Sequence, residues 1–344
     1  MKEIVYNLHR PIPAFLQEAL EAPAMKRLLH VGMNCGCEYT SYPCFTALPP
    51  YSRYEHSLGV ALIVWRFTQD EKQALSGLFH DIATPVFAHV IDFMRGDYVR
   101  QEATEDGTAR LIEEDPVIRK VLRDTGLSVR DVCDYHCYPI ADNEAPKLCA
   151  DRLEYTLENM VHYRHATVND ALRMYEDLEV SDNEDGSPEL VFRTPSLALR
   201  FAENALKCGM FYTTDQDRYS MQRLSEICRD AVLRGVITEA DLYKDEPYVI
   251  GRFLSDPKTA AAWNAFRKLS VIRKADDAEV STRQNASNKE TSEAPGFFRK
   301  IDAKKRCIDP YIKGLGRVSS VDPAFCKALR DFRNTSFDYW VFGE

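Results

Sequence analysis

The strongest constraint on this chain is a set of ionisable side chains placed inside its most apolar helical sequence. The stretch RYEHSLGV begins at Arg53 and ALSGLFHDIATPVFAH begins at Ala74. In 71–82, Ala74, Leu75, Leu78, Phe79 and Ile82 recur at three- and four-residue steps, the stripe of a helix packed on a core. Segment 56–67 is apolar nearly all round, which predicts a central, buried helix. His56 nevertheless opens that segment, His80 and Asp81 stand at the C-terminal end of the amphipathic one, and His89 follows. Imidazole and carboxylate are the side chains that hold divalent metals at nitrogen–oxygen sites. A single His-Asp dipeptide is weak evidence, because a buried histidine bonded to a carboxylate is common.

Further helical patterns run near 85–95, 107–123, 148–163, 196–212, 219–234, 258–269 and 323–332, and strand-like alternation is scarce and short. The expectation is an all-α fold, a helical bundle with a helical C-terminal extension. At 344 residues, 45% hydrophobic and 28% charged, the chain suits one large domain with a smaller appendage. The expected division is a body over 1–272, with a core about 50–165 and a helical extension 190–272, a linker over 273–296, and a C-terminal appendage over 297–344. SDNEDGSPE at 181–189 reads as an acidic loop, and KADDAEVSTRQNASNKETSEAPG at 274–296 as a polar, flexible tether. The apolar tail FDYWVF is expected to dock on its own core or on a partner subunit.

No apolar run reaches the roughly 18 residues of a membrane span. MKEIVYNLHRPIPAF lacks the apolar centre of a signal peptide, so the expected location is cytoplasmic. The net charge of −9, without a long Lys/Arg block, argues against an extended nucleic-acid site and leaves room for a local basic pocket that takes phosphate. The ten cysteines read as reduced thiols, several of them buried. That includes Cys35 and Cys37 of CGC and Cys133 and Cys137 of CDYHC, which lack the paired C-x-x-C spacing of structural zinc.

Asp151 opens another helical stretch, DRLEYTLENM. Asp151, Tyr155, Asn159 and His162 fall at four-, four- and three-residue steps and share one face, flanked by Leu153, Leu157, Met160 and Val161. A polar strip headed by a carboxylate fits a ligand wall, and it also fits a solvated face. For this helix alone the solvated face is the better reading.

Taken in order, His56, His80-Asp81 and Asp151 resemble the H…HD…D pattern of the HD-domain phosphohydrolases. RYEHSLGV resembles the RFEHSLGV of the deoxynucleotide triphosphohydrolase branch, which includes bacterial dGTPases and the mammalian SAM-and-HD-domain enzyme. HDIATPVFAHVID is similar to that branch's HDLGHGPFSHMFD, and ADRLEY to its DADRLDY. FAENALKCGMFY and RCIDPYIKGLGR match more loosely, so the likeness spans about residues 25–320. The resemblance implies an HD-domain helical bundle with one divalent metal (Mn, Fe, Ni, Co, Mg or Zn) on His56, His80, Asp81 and Asp151. It implies a metal-dependent phosphohydrolase of a nucleotide or other small phosphoester. Triphosphohydrolase is the leading expectation, and phosphomonoesterase or phosphodiesterase the runner-up. Arg53 and Arg152 would contact phosphate, which the planar fork of arginine suits. Tyr155 would line a sugar pocket, His89 and Asp92 would join Asp81 as catalytic groups, and the protein would be a homo-oligomer.

Several positions depart from the branch. Thr84 stands where it has a histidine, and Gln101 fills the slot of a second histidine, partner to the aspartate matching Asp92. Gln101 then faces substrate without the proton transfer that imidazole provides. The sugar-reading glutamine is replaced around Asn34–Cys35, CFTALPPYS carries a four-residue excess before Arg53, and Tyr212–Arg218 lacks the branch's histidine. These departures predict slow deoxynucleotide turnover, or a sensory protein that binds metal and nucleotide with little turnover.

Overall fold

A computed structural model describes residues 9–96, 107–281 and 298–344. Gln101 and residues 282–296 of the expected tether lie outside them. The described chain is mainly helical, and local sequence sets the boundaries of the helices that matter. Helix α1, Arg53–Thr68, starts at a capping box: Ser52 accepts from the Glu55 amide while the Glu55 carboxylate returns to the Ser52 amide. This puts Arg53 and His56 on the first turn, and every residue from His56 to Val64 is buried. Helix α2, Glu71–Phe79, is capped by Asp70 and ends at His80. Its Gly77 packs on α1, where a Cβ would lie 3.3 Å from methyls of Val60 and Val64. Helix α3, Ala150–His162, also packs against α1, and it carries Asp151 on its first turn.

Two expected helices differ in the structure. The 85–95 pattern is helical only over Val90–Arg95. Pro85 disfavours helix at the residue before it, and Phe87 and Ala88 adopt left-handed backbone with φ of 58° and 45°. The 107–123 pattern divides into Thr108–Glu114 and Pro116–Thr125. Pro116 cannot continue the first helix, and Asp115 caps the second by accepting from the Val117 and Ile118 amides.

The strands are short. β1, Leu178–Asp182, and β2, Pro188–Phe192, form an antiparallel hairpin, so the acidic 181–189 segment is its turn and strand ends. β3 is Ile272–Ala275, β4 Tyr311–Ile312, β5 Gly316–Arg317 and β6 Trp340–Gly343. β4 joins β2 in parallel and pairs with β5, giving the order β1-β2-β4-β5. β3 pairs antiparallel with β6, so the aromatic tail docks on the chain's own body, with Val341 and Phe342 buried. Residues 272–275, on either side of the expected start of the tether, are thus strand. The later helix Pro323–Arg333 buries Phe325, Leu329 and Phe332 and packs on Pro195–Phe211. All ten cysteines are free thiols, and no helix among the described residues is long and apolar enough to cross a membrane.

Candidate metal and phosphoester site

The start of α1, the end of α2 and the start of α3 bring together four side chains from three separate stretches of sequence. His56 Nε2 lies 3.2 Å from His80 Nε2 and 2.9 Å from Asp151 Oδ1. His80 Nε2 lies 3.7 Å from the same Asp151 oxygen and 3.5 Å from Asp81 Oδ2, which is 3.9 Å from His56 Nε2. The far side of each ring is tied down. His56 Nδ1 bonds to the Glu154 carboxylate, and His80 Nδ1 donates to the Gly77 carbonyl at 2.8 Å. Both of those partners accept, so both Nδ1 atoms carry the hydrogen, and the two Nε2 lone pairs face each other. That arrangement is repulsive unless a proton or a cation lies between them. Burial alone would depress His56, but the Glu154 and Asp151 carboxylates push it up to about 10. A divalent ion held by these nitrogens would relieve the same repulsion in place of that proton. The two imidazole nitrogens and the Asp151 carboxylate lie close enough together to hold a divalent ion of the nitrogen–oxygen type, with Asp81 Oδ2 3.5 and 3.9 Å from the two nitrogens, and the set does not select one metal.

Asp81 is held from behind. Its two oxygens accept from Arg53 Nη1 at 3.0 and 2.8 Å, and Oδ1 also accepts from the Thr84 hydroxyl at 2.7 Å. Burial works against its charge, yet Arg53, with His80 and His56, holds the carboxyl well below the usual carboxylate range. Thr84, at the branch's histidine position, therefore closes the turn onto Asp81. Arg27 steadies that turn by donating to the Ile82 and Thr84 carbonyls at 2.9 and 2.7 Å.

Sequence spacing does not single out Glu154, because it lies off the Asp151–Tyr155–Asn159 strip. The acid in the matching ADRLEY and DADRLDY motifs is the available signal. Its carboxylate takes both His56 Nδ1 and the Tyr51 hydroxyl. Gly59 makes room for it: a Cβ there would sit 2.5 Å from Glu154 Oε1. A carboxylate behind a ligating histidine fixes its tautomer and raises its basicity. Glu154→Gln is expected to weaken metal affinity by about 10–100-fold. Competition with a chelator measures it, and an unchanged affinity would remove Glu154 from the site.

A cavity of about 420 Å³ opens over these groups. Arg53, Asp151, Arg152, Tyr155 and Asn159 line it, as do Tyr135, Tyr163 and Tyr212. Three members of the α3 strip thus face the cavity, while His162 lies beyond it. Arg152 runs along the edge, 3.2 Å from Asp142 and donating to the Lys147 carbonyl at 2.8 Å. Asp142, Cys149 and Asp151 form a second close group, but the Arg152 guanidinium already supplies its counter-charge. His89 bonds through Nδ1 to buried Asp92 at 2.9 Å, and its Nε2 lies 3.0 Å from Arg306 Nη2. Two further residues line the wall: Arg306, the first residue of the RCIDPYIKGLGR stretch, and Asp217, which burial pushes up to about 8. A carboxyl that keeps its proton near neutral pH is chemically able to donate one.

No family model matches the chain. It is 24% identical over 256 residues to the uncharacterized protein YdhJ of Bacillus subtilis (strain 168), covering 73% of this chain and 74% of that one. It is 27% identical over 221 residues to the metal-dependent phosphohydrolase cns2 of Cordyceps militaris, covering 64% of this chain and 60% of that protein, less than two thirds of its length. Among solved structures, a phosphohydrolase from Bacteroides thetaiotaomicron superposes with a TM-score of 0.66 at 13% identity, covering 97% of this chain and 96% of that one. A hypothetical protein from Aquifex aeolicus gives 0.64 at 16% identity, covering 96% and 93%. The chain thus shares its overall fold with these two solved structures, and over part of its length it is similar to a protein named as a metal-dependent phosphohydrolase.

Proposed function

We propose that the protein is a metal-dependent phosphohydrolase of a nucleotide or other small phosphoester, with its divalent ion on His56, His80, Asp81 and Asp151. The observation that carries this reading is the pair of imidazole Nε2 atoms 3.2 Å apart, each with its other nitrogen committed, between two carboxylates. A divalent ion in such a set supplies polarisation of a phosphoryl oxygen and a lowered pKa for water. The chain's own groups do the rest. Glu154 and the Gly77 carbonyl fix the two tautomers, and Arg53 and Thr84 fix the Asp81 carboxylate. Tyr155, Tyr163 and Tyr212 offer broad faces with polar tips, a surface suited to a nucleoside.

A second reading, a site that binds metal and nucleotide with little turnover, is favoured by one observation. Both nitrogens of His89 are engaged, so its imidazole is not poised to protonate a leaving oxygen. A positioned acid typically contributes about 10²–10⁴-fold to rate. With manganese supplied, the expected result is hydrolysis of p-nitrophenyl phosphate, whose leaving group needs little acid, and slow or absent triphosphate release from deoxynucleoside triphosphates. If a phosphoester panel shows no metal-dependent hydrolysis, the binding reading stands in its place.

A further inference from the structure

We infer that Asp217 reads the nucleobase of the substrate: it is a specificity-determining residue that exchanges two hydrogen bonds with an edge carrying an amino group beside a ring nitrogen, the edge that adenine presents. The inference rests on the phosphoester reading of the site, with a nucleoside as the part of the substrate that meets the tyrosines.

Local spacing assigns Asp217 another role. Thr214 and Asp217 stand at the two ends of a capping box, at the start of the helix Asp215–Leu233. At four other helix starts in this chain the box closes: Glu55, Asp131, Asp170 and Asp241 each accept from the amide of their own cap residue. Here only half of it forms. The Thr214 hydroxyl accepts from the Asp217 amide at 3.4 Å, but the Thr214 amide bonds the Phe211 carbonyl at 3.1 Å. The Asp217 carboxyl is thereby left out of the cap, and the residue lines the cavity instead.

Its place there is the one a base would take. From His56 the wall runs to Tyr155, 6.4 Å away between ring centres, to Tyr212 after a further 6.3 Å and to Tyr163 after a further 6.1 Å. Tyr163 is fixed by stacking on Phe211 at 3.9 Å, and the Tyr212 hydroxyl accepts from the Asn159 amide at 2.8 Å. Burial, then Cys208 and Asp217, push the Tyr163 hydroxyl well up, which puts Asp217 at the tyrosine end of the cavity. Met221, one turn further along the same helix, lines the wall beside it and offers an apolar flank to a ring.

Among the described residues, the one hydrogen bond the carboxyl receives is weak, from the Cys37 thiol to Oδ2 at 4.0 Å. Arg218 of the same helix bonds Asp215 rather than Asp217. Burial, against the pull of Arg306 and Arg218, pushes Asp217 up to about 8. At neutral pH the group therefore keeps its proton and presents one donor beside one acceptor. The N6 amino group of adenine donates and the neighbouring N1 accepts, so the two edges match, as the amides of Asn and Gln match adenine elsewhere. An ionised carboxylate only accepts and would meet the N1 lone pair with its own. It suits the N1–H and amino group of guanine instead.

The test uses the full chain loaded with manganese, with adenosine and purine riboside as probes, followed by calorimetry at pH 6. The two nucleosides differ only in the amino group, and neither holds a phosphoester, so binding is read apart from turnover. Wild type is expected to bind adenosine the more tightly, on the order of 10-fold. Asp217→Ala should abolish that preference with metal content unchanged. Asp217→Asn, whose amide both donates and accepts at every pH, should retain it. Raising the pH to 9 removes the proton from Asp217 and should weaken adenosine binding by wild type on the order of 10-fold, while Asp217→Asn holds its affinity. The Asn variant keeps the other groups around this position that titrate or carry charge, namely Cys35, Cys37, Tyr163, Arg218 and Arg306, so it isolates the carboxyl. It also decides the matter if Asp217→Ala fails to fold. Equal binding of the two nucleosides by wild type, or binding of neither, overturns the inference. So does a preference that survives Asp217→Ala, or a loss at pH 9 that Asp217→Asn shares. Adenosine preference that depends on Asp217 in a protein that hydrolyses no phosphoester would sink the hydrolase reading alone. Metal-dependent hydrolysis by a protein that does not distinguish the two nucleosides would sink this inference alone.

Discussion

Asp151→Asn is expected to leave the protein folded while removing its divalent ion and its hydrolytic activity. The substitution keeps the shape of the side chain and deletes its charge. The Asp151 side chain is one-fifth exposed, and its oxygen is the nearest carboxylate to His56 Nε2, at 2.9 Å. Glu154 still bonds the far nitrogen of that ring, so no histidine charge is stranded in the core. The loss in metal affinity should exceed the roughly 10–100-fold typical of an outer-sphere partner. Elemental analysis reads the metal, and thermal unfolding of the metal-free proteins checks the fold. Equal metal content in wild type and variant would refute the ligand assignment.

Asp81→Ala should differ in a way that separates the two carboxylates. It also strips the counter-charge from Arg53, which is buried and whose Nε has no hydrogen-bond partner. Breaking a buried pair by removing one member typically costs about 3–5 kcal/mol. The metal-free Asp81→Ala protein should therefore be destabilised by about that much, while metal-free Asp151→Asn stays near wild type. Arg53→Met with Asp81→Leu, which removes both charges, should recover much of the loss. The pH dependence has a definite sign. Arg53 depresses the folded-state pKa of Asp81, so its contribution is complete above the unfolded value of about 4 and fades as pH falls below it. The gap between wild type and variant should narrow from pH 5 to pH 3. Urea midpoints at the two pH values measure it, and a gap that is small at pH 5 or constant between them would contradict the buried-pair account.

The parts of the site that sequence makes legible are those set by near neighbours. Ser52 and Glu55 fix the start of α1, the apolar stripe of 71–82 fixes α2, and the steps from Asp151 to Asn159 fix one face of α3. The helices bring His56, His80, Asp81 and Asp151 together as their spacing and motif order suggest. What spacing does not reveal is partner choice. Arg53 lines the cavity and bonds Asp81, a partner that nothing within a few residues of Arg53 records. Glu154 differs from the polar strip by one step, yet that step turns it toward His56. The pairing of β3 with β6 and the arrival of Arg306 beside His89 join positions that no local period connects. Phe87 and Ala88 break an expected helix because Pro85 and tertiary packing outweigh the apolar pattern.

The wall carrying Arg306 also has a consequence for the order of events during synthesis. The clustered residues His56, His80, Asp81 and Asp151 have all been made by Asp151, whereas Arg306 emerges well over a hundred residues later. At typical elongation rates of about 5–20 residues per second, that interval is on the order of ten to thirty seconds. A growing chain on the ribosome therefore carries the histidine–carboxylate cluster for a time without the 303–307 segment that lines its cavity in the finished protein. The cluster is thus open on that side until the C-terminal segment arrives, so the last stretch of synthesis decides when the cavity acquires its full wall.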